Sequence, residues 1–300
     1  TSDIKPLMLS TMLFWTWKTA EVQAMLEWMS EYNRGKPAED KLQYMGVDCQ
    51  ANVNNAPLVF DYLQSAGMPF LSWADSLLEV CKTATLYNFK FHTEESYVAY
   101  IKELSSLQDS ISHYESALTV NKTEQDYQLL MHMVEVIRQT SEVSFNYTRH
   151  SADNNRDRYM AENVLWLREY FPAAKVVVWA HNAHISNDRD FSSMGYYLKG
   201  QLDDDYHMLG FLFSKGSFNA IGISGANYLP LAARAITEEP KANSVNAIFS
   251  SANEPVFSIA ISDLDNYPEW VSAFSDGLEF FHFGAVFGTT PDYFPFKRTY

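Results

Sequence analysis

Cysteine is scarce in this chain: 300 residues hold two, Cys49 and Cys81, and they form no C-x-x-C pair. They do not make a disulfide scaffold. No apolar run approaches the roughly 18 residues of a membrane-spanning helix. There is no P-loop, no G-x-G-x-x-G after a strand and no H-E-x-x-H, so nucleotide binding and zincin chemistry lose their usual warrants. Gly222-Ile-Ser-Gly225 is one residue short of the G-x-S-x-G elbow, which leaves Ser224 without the geometry of an α/β-hydrolase nucleophile. Positive charge is also in short supply. Against 37 Asp and Glu stand 22 Lys and Arg, a formal charge of −15 that argues against nucleic acid and against anionic membrane surfaces as partners. The acidity gathers in no long run, Asp203 to Asp205 being its densest patch, and so reads as a solvated surface. Gly and Pro are spread thinly, 12 and 11, without a repeat period, and a single domain over 1–300 is expected.

What is present is a globular composition, 47% hydrophobic and 15% aromatic with 20% charged residues. Apolar residues at Val22, Leu26 and Met29 predict an amphipathic helix over 19–33. Residues 56–150 read as almost entirely helical, punctuated at Gly67 to Pro69, around His92 to Glu95 and at Asn121 to Thr123. The longest helix is expected over 123–147, with Tyr127, Leu130, Val134 and Ile137 on its buried stripe and Met131 and Met133 as packing. The polar stretch His150-Ser-Ala-Asp-Asn-Asn155 leads into a helix over 156–170. Another helix is expected to end near Leu202.

Strands are expected at 43–47, 176–180, 206–213, 218–224 and 256–261. Val176 to Ala180, β-branched and unbroken, predicts a strand buried on both faces at the centre of a sheet. The fold class is therefore α/β: a mixed, largely parallel central sheet surrounded by many helices, with the helical segment 56–150 inserted between early and central strands.

In open α/β sheets ligands bind at the carboxyl ends of the strands. There the chain sets His181, Asn182 and His184, two imidazoles able to exchange protons near neutrality and an amide between them. Asp48, Cys49 and Gln50 follow the strand at 43–47 and fall on the same edge if the two strands are parallel. Arg156, Met160 and Asn163, spaced i, i+4, i+7, border the apolar face of their helix and can reach a ligand oxygen. Two histidines at H-x-x-H do not by themselves supply the ligands of a zinc site. A structural role for each of these side chains is the alternative reading.

The order of motifs then becomes recognisable. Arg156-Asp-Arg-Tyr-Met-Ala-Glu-Asn163, Trp179-Ala-His-Asn-Ala-His-Ile185, Met194-Gly195 and Gly210-Phe-Leu-Phe, with the earlier Tyr44-Met-Gly-Val-Asp48, resemble the erythromycin esterase family. The resemblance implies many helices around a deep cleft and hydrolysis of a macrolide lactone or another carboxylic ester by a His-activated water, with no cofactor or metal. It implies His181 and His184 as catalytic residues, and Asp48, Arg156, Met160, Asn163 and Asn182 as substrate-binding residues. The family's amino-terminal Gly-Glu-x-x-His-Gly segment does not occur among these 300 residues. With the abrupt opening at Thr1 and close at Tyr300, that leads us to expect a fragment starting about a hundred residues late and stopping short of the last strand. A non-catalytic relative that only binds a ligand and a metal-dependent hydrolase are the competing readings.

Overall fold

Local sequence decides the helices. In the computed structural model, which describes all residues except 1–2, 83–84, 86–90, 92, 150–154, 225–226, 253, 269–271, 273–276, 285, 289–290 and 297–300, they arrive almost where periodicity puts them. The linker at 150–154, His92 and Gly225 lie outside the described residues. Two compact units emerge, 1–178 and 179–300.

The first unit is helical: α1 (Ile4–Thr11), α2 (Ala20–Tyr32), α3 (Asn55–Ser65), α4 (Leu71–Glu79), α5 (Glu94–His113), α6 (Glu115–Leu118), α7 (Glu124–Thr148) and α8 (Asn155–Tyr170). Thr19 caps α2, accepting the Val22 N–H at 3.3 Å. Thr123 and Asp126 close a capping box on α7. Such caps satisfy backbone N–H groups that the first turn leaves open. The expected stripe of Tyr127, Leu130, Val134 and Ile137 is buried against Leu63, Leu78, Leu104, Leu107 and Ile111, with Met131 and Met133 packed at its margin. Burying each such aliphatic side chain contributes about 1.5–3 kcal/mol.

Between α7 and α8 the His132 ring lies parallel on Trp166, centroids 3.7 Å apart, and Trp166 in turn stacks on Tyr170 at 4.6 Å. Burial pushes the His132 pKa down to about 4, against the opposing attraction of Glu135. A histidine whose folded-state pKa is depressed contributes no penalty above the ordinary value near 6.5, and stability falls as pH drops from there toward 4. Unfolding in urea should therefore show about 2 kcal/mol less stability at pH 5 than at pH 7 from this group. His132→Phe, which keeps the stack, should flatten that slope; an unchanged slope refutes the assignment.

The second unit holds α9 (Asn182–Ile185), α10 (Met194–Leu202), β1 (Gly216–Ser224), β2 (Asn227–Ile236), α11 (Val245–Ser250), β3 (Glu279–Phe281), β4 (Val286–Phe287) and β5 (Tyr293–Pro295). β1 and β2 form an antiparallel hairpin. Ile221 faces Leu231 and Gly222 faces Leu229, so Pro230 is the unmatched residue of a bulge, a position that a residue without an N–H can take. β1 also pairs in parallel with β4 over two residues, and β3 pairs antiparallel with β5.

Here the expectation of a largely parallel central sheet needs correction: the sheets are small and mostly antiparallel. Of the five expected strands, that at 218–224 is found as β1. Segments 43–47, 176–180, 206–213 and 256–261 join no sheet among the described residues. Nor is 176–180 buried on both faces, since Val177 is 91% exposed and Trp179 57%. A β-branched apolar run favours a strand, but the ladder needs a neighbour that the run cannot itself specify. The ladders that do form include the one a short connection makes local, between β1 and β2.

Candidate functional site

Each unit gathers part of the residues that the sequence singles out. In the first, α8 grips the segment around Asp48. Arg156 donates from Nε to Asp48 Oδ1 at 2.9 Å and from Nη2 to Oδ2 at 2.8 Å, a two-pronged pair. Burial works against the Arg156 charge, and the Asp48 carboxylate outweighs it and holds the guanidinium pKa above its ordinary value. Two turns along the helix, Asn163 donates from Nδ2 to the Val47 carbonyl at 2.9 Å and to Gln139 Oε1 at 3.0 Å. With its amide nitrogen toward Asp48, Gln50 donates to Oδ2 and accepts from Arg156 Nε, both at 3.3 Å. Met160 is buried, and so is Cys49, which packs against Val136, Val143 and Tyr159. Burial, reinforced by the charge of Asp48, drives the Cys49 thiol pKa far above normal, so it offers no thiolate near neutral pH.

The i, i+7 spacing thus works as expected in placing Arg156 and Asn163 on one face. Their partners are this chain's own Asp48 and Val47, 108 and 116 positions away.

In the second unit His181 caps α9, its Nδ1 accepting the Ala183 N–H at 3.2 Å, while its Nε2 lies 3.2 Å from the Phe283 carbonyl oxygen. Burial lowers the His181 pKa, the Phe283 carbonyl opposing and the charge of His184 assisting. Asn182 uses both ends of its amide on one residue: Nδ2 donates to the Phe211 carbonyl at 2.7 Å and Oδ1 accepts the Phe211 N–H at 3.1 Å. His184 sits one turn after His181 on α9, its ring 6.5 Å from that of Phe191. The end of α9 is clamped. Tyr206 donates its hydroxyl to the Ile185 carbonyl at 2.6 Å, and the Ser193 hydroxyl, which caps α10, donates to the Ser186 carbonyl.

Two side chains that sequence reasoning passed over complete this arrangement. Asn246, buried on α11, donates to the Phe213 carbonyl and accepts the Phe281 N–H, both at 2.9 Å. His282 places Nδ1 3.4 Å from His181 Nε2. Together His181, Asn182 and Asn246 bond to the backbones of 211–213 and 281–283 in the way neighbouring strands would. The available signal for His282 was its position as the lone polar residue in Phe280-Phe281-His282-Phe283. No signal marked Asn246.

With this geometry in view, the comparison with known proteins is decisive about kinship. The erythromycin esterase family matches residues 3–281. The chain belongs to that family. No curated protein matches it. A solved protein from Bacillus cereus is similar at 20% identity, with a TM-score of 0.74 over 96% of this chain and 71% of its own. A succinoglycan biosynthesis protein is similar at 20% identity and a TM-score of 0.66, over 93% and 67%. A mutant of the erythromycin esterase EreC in its open conformation is similar at 15% identity and a TM-score of 0.57, over 79% and 64%. At these identities the likeness is one of fold. Family membership suggests a hydrolase acting on a small molecule. Among the described residues no helix is long and apolar enough to cross a membrane.

Proposed function

We propose that this chain hydrolyses a carboxylic ester or lactone, with His184 as the base that activates water and His181 as the neutral imidazole that orders the hydrogen bonds beside it. The observation that carries the reading is the fold of Trp179-Ala-His-Asn-Ala-His184, in which a capping contact fixes the proton of one imidazole and sets the second one turn away. Since Nδ1 of His181 accepts the Ala183 N–H, its ring proton belongs on Nε2, and a neutral imidazole so fixed donates rather than accepts. That Nε2–H is taken up by the Phe283 carbonyl and faces His282 Nδ1, so His181 acts by holding these groups in place. Asn182, on the same α9, would border the substrate. Erythromycin is one substrate of the class, and simple esters are others.

The test is an assay of the purified protein, extended upstream in its reading frame if that frame continues, against erythromycin and a panel of p-nitrophenyl esters. His184→Ala is expected to lower kcat by at least about 100-fold, and turnover should survive dialysis against a chelator. Absence of turnover on every ester would sink the proposal and leave a binding protein; loss of turnover with the chelator would favour a metal-dependent hydrolase.

A further inference from the structure

His282 is the first residue past the stretch that the family matches, and neither the motifs nor the family assigns it a role. It directly follows β3, its ring 4.7 Å from Phe294 and 5.1 Å from Phe280. Its protonation can be followed link by link from the backbone. Ala183 N–H points at His181 Nδ1, which must then carry a lone pair. A neutral imidazole has one ring proton, so His181 carries it on Nε2. That N–H is shared between the Phe283 carbonyl at 3.2 Å and His282 Nδ1 at 3.4 Å. A donor aimed at Nδ1 requires a lone pair there as well, so the His282 proton sits on Nε2. Among the described residues no acceptor meets this last N–H, and it opens to solvent, since it is not among the side-chain atoms buried without a partner. Burial, with the charge of His181 adding to it, brings the His282 pKa down to about 4 and keeps the ring neutral.

We infer that His282 is a further ligand-contacting residue, the outer end of a hydrogen-bond relay from Ala183 N–H through His181 that presents a neutral Nε2–H donor to an oxygen of the ligand. That this oxygen is an ester carbonyl rests on the hydrolase reading; the relay does not. Hydrogen bonds in a chain polarise one another, so the terminal N–H is a stronger donor than that of an isolated imidazole. It binds the oxygen as negative charge gathers there, and no proton is transferred. A metal ion shared by the two facing nitrogens is opposed by the same proton: it would need the lone pair of His181 Nε2, which moves the proton to Nδ1 and against Ala183 N–H.

The experiment is 15N spectroscopy of the histidine rings in the whole protein at pH 7, with an acetate titration, alongside kinetics of His282→Phe and His282→Gln. Protonated Nε2 and unprotonated Nδ1 on both rings, with an acetate-dependent shift at His282 Nε2, are expected. His282→Phe, which fills the space without a donor, should lower kcat about 100-fold with KM little changed. His282→Gln, whose amide nitrogen reaches the Nε2 position, should recover most of that loss. A proton on Nδ1 of either ring, no response to acetate, or a His282→Phe variant that turns over like the wild type overturns the inference. If the wild type cleaves no ester, the hydrolase reading fails by itself, and the spectra and acetate titration still decide the relay.

Discussion

Gly195→Ala should destabilise the unit at 179–300 by about 4 kcal/mol, a loss at the upper end of what single substitutions cause. A methyl group at this position would stand 2.5 Å from the Ile185 carbonyl carbon and closer still to the Ile185 and Ser186 carbonyl oxygens. The obstacle is backbone, and both carbonyls are held. Tyr206 hydrogen-bonds the first and Ser193 the second, so α9 cannot recede from α10 without breaking those contacts. Helix propensity pushes in the opposite direction, alanine being about 1 kcal/mol better than glycine within a helix. Gly200 supplies the control: it lies on the same α10 with nothing within 4 Å of an added methyl, and Gly200→Ala should be neutral or stabilising. Urea unfolding of both variants measures the difference. Equal stabilities would mean that α9 and α10 are not in backbone contact. Because α9 carries His181 and His184, any ester turnover should fall with Gly195→Ala even at temperatures where the protein remains folded.

That glycine lies in a motif which is visible in the sequence, but its reason is not. Met194-Gly195 marks the family resemblance, whereas the carbonyls it must clear come from Ile185 and Ser186 on another element. The same division runs through the molecule. Helices are legible because their determinants are local: Thr19 and Asn33 flank α2, and the stripe from Tyr127 to Ile137 decides which face of α7 is buried. The strands are not. Asn227 to Ile236 contains Ala232-Ala233-Arg234-Ala235, residues of good helix propensity, and becomes β2 because β1 lies against it. Conversely Val176 to Val178 have strong β propensity and join no sheet among the described residues.

The candidate site divides similarly. Residue type and spacing single out Asp48, Arg156, Asn163, His181 and Asn182, yet what each one touches depends on contacts remote in sequence. Arg156 meets Asp48 across 108 positions, and His282 meets His181 across 101. An imidazole within an aromatic run carries no periodic signature, so only the fold brings His282 forward.

The pair of Asp48 and Arg156 gives the second large effect. Removing one member of a fully buried ion pair costs about 3–5 kcal/mol, because the remaining charge is left desolvated. Here the side chains retain 42% and 22% of their exposure, for Asp48 and Arg156 respectively, so water shares the load. Arg156→Ala should cost about 2–3 kcal/mol in urea unfolding of the unit at 1–178. Asp48→Ala should cost about as much, since it removes the carboxylate that offsets the desolvation of the less exposed guanidinium. The double variant should be less damaging than the sum by about 2 kcal/mol, the coupling expected of a two-pronged pair. Arg156→Lys keeps the charge but not the fork and should recover less than half of the loss. A coupling near zero would show that water satisfies each group as well as its partner does. Arg156 would then be able to turn from Asp48 to a ligand oxygen at little cost. A coupling of the expected size sets the opposite condition: a ligand anion must displace the Asp48 carboxylate, or use the Nη1 donors that the pair leaves over.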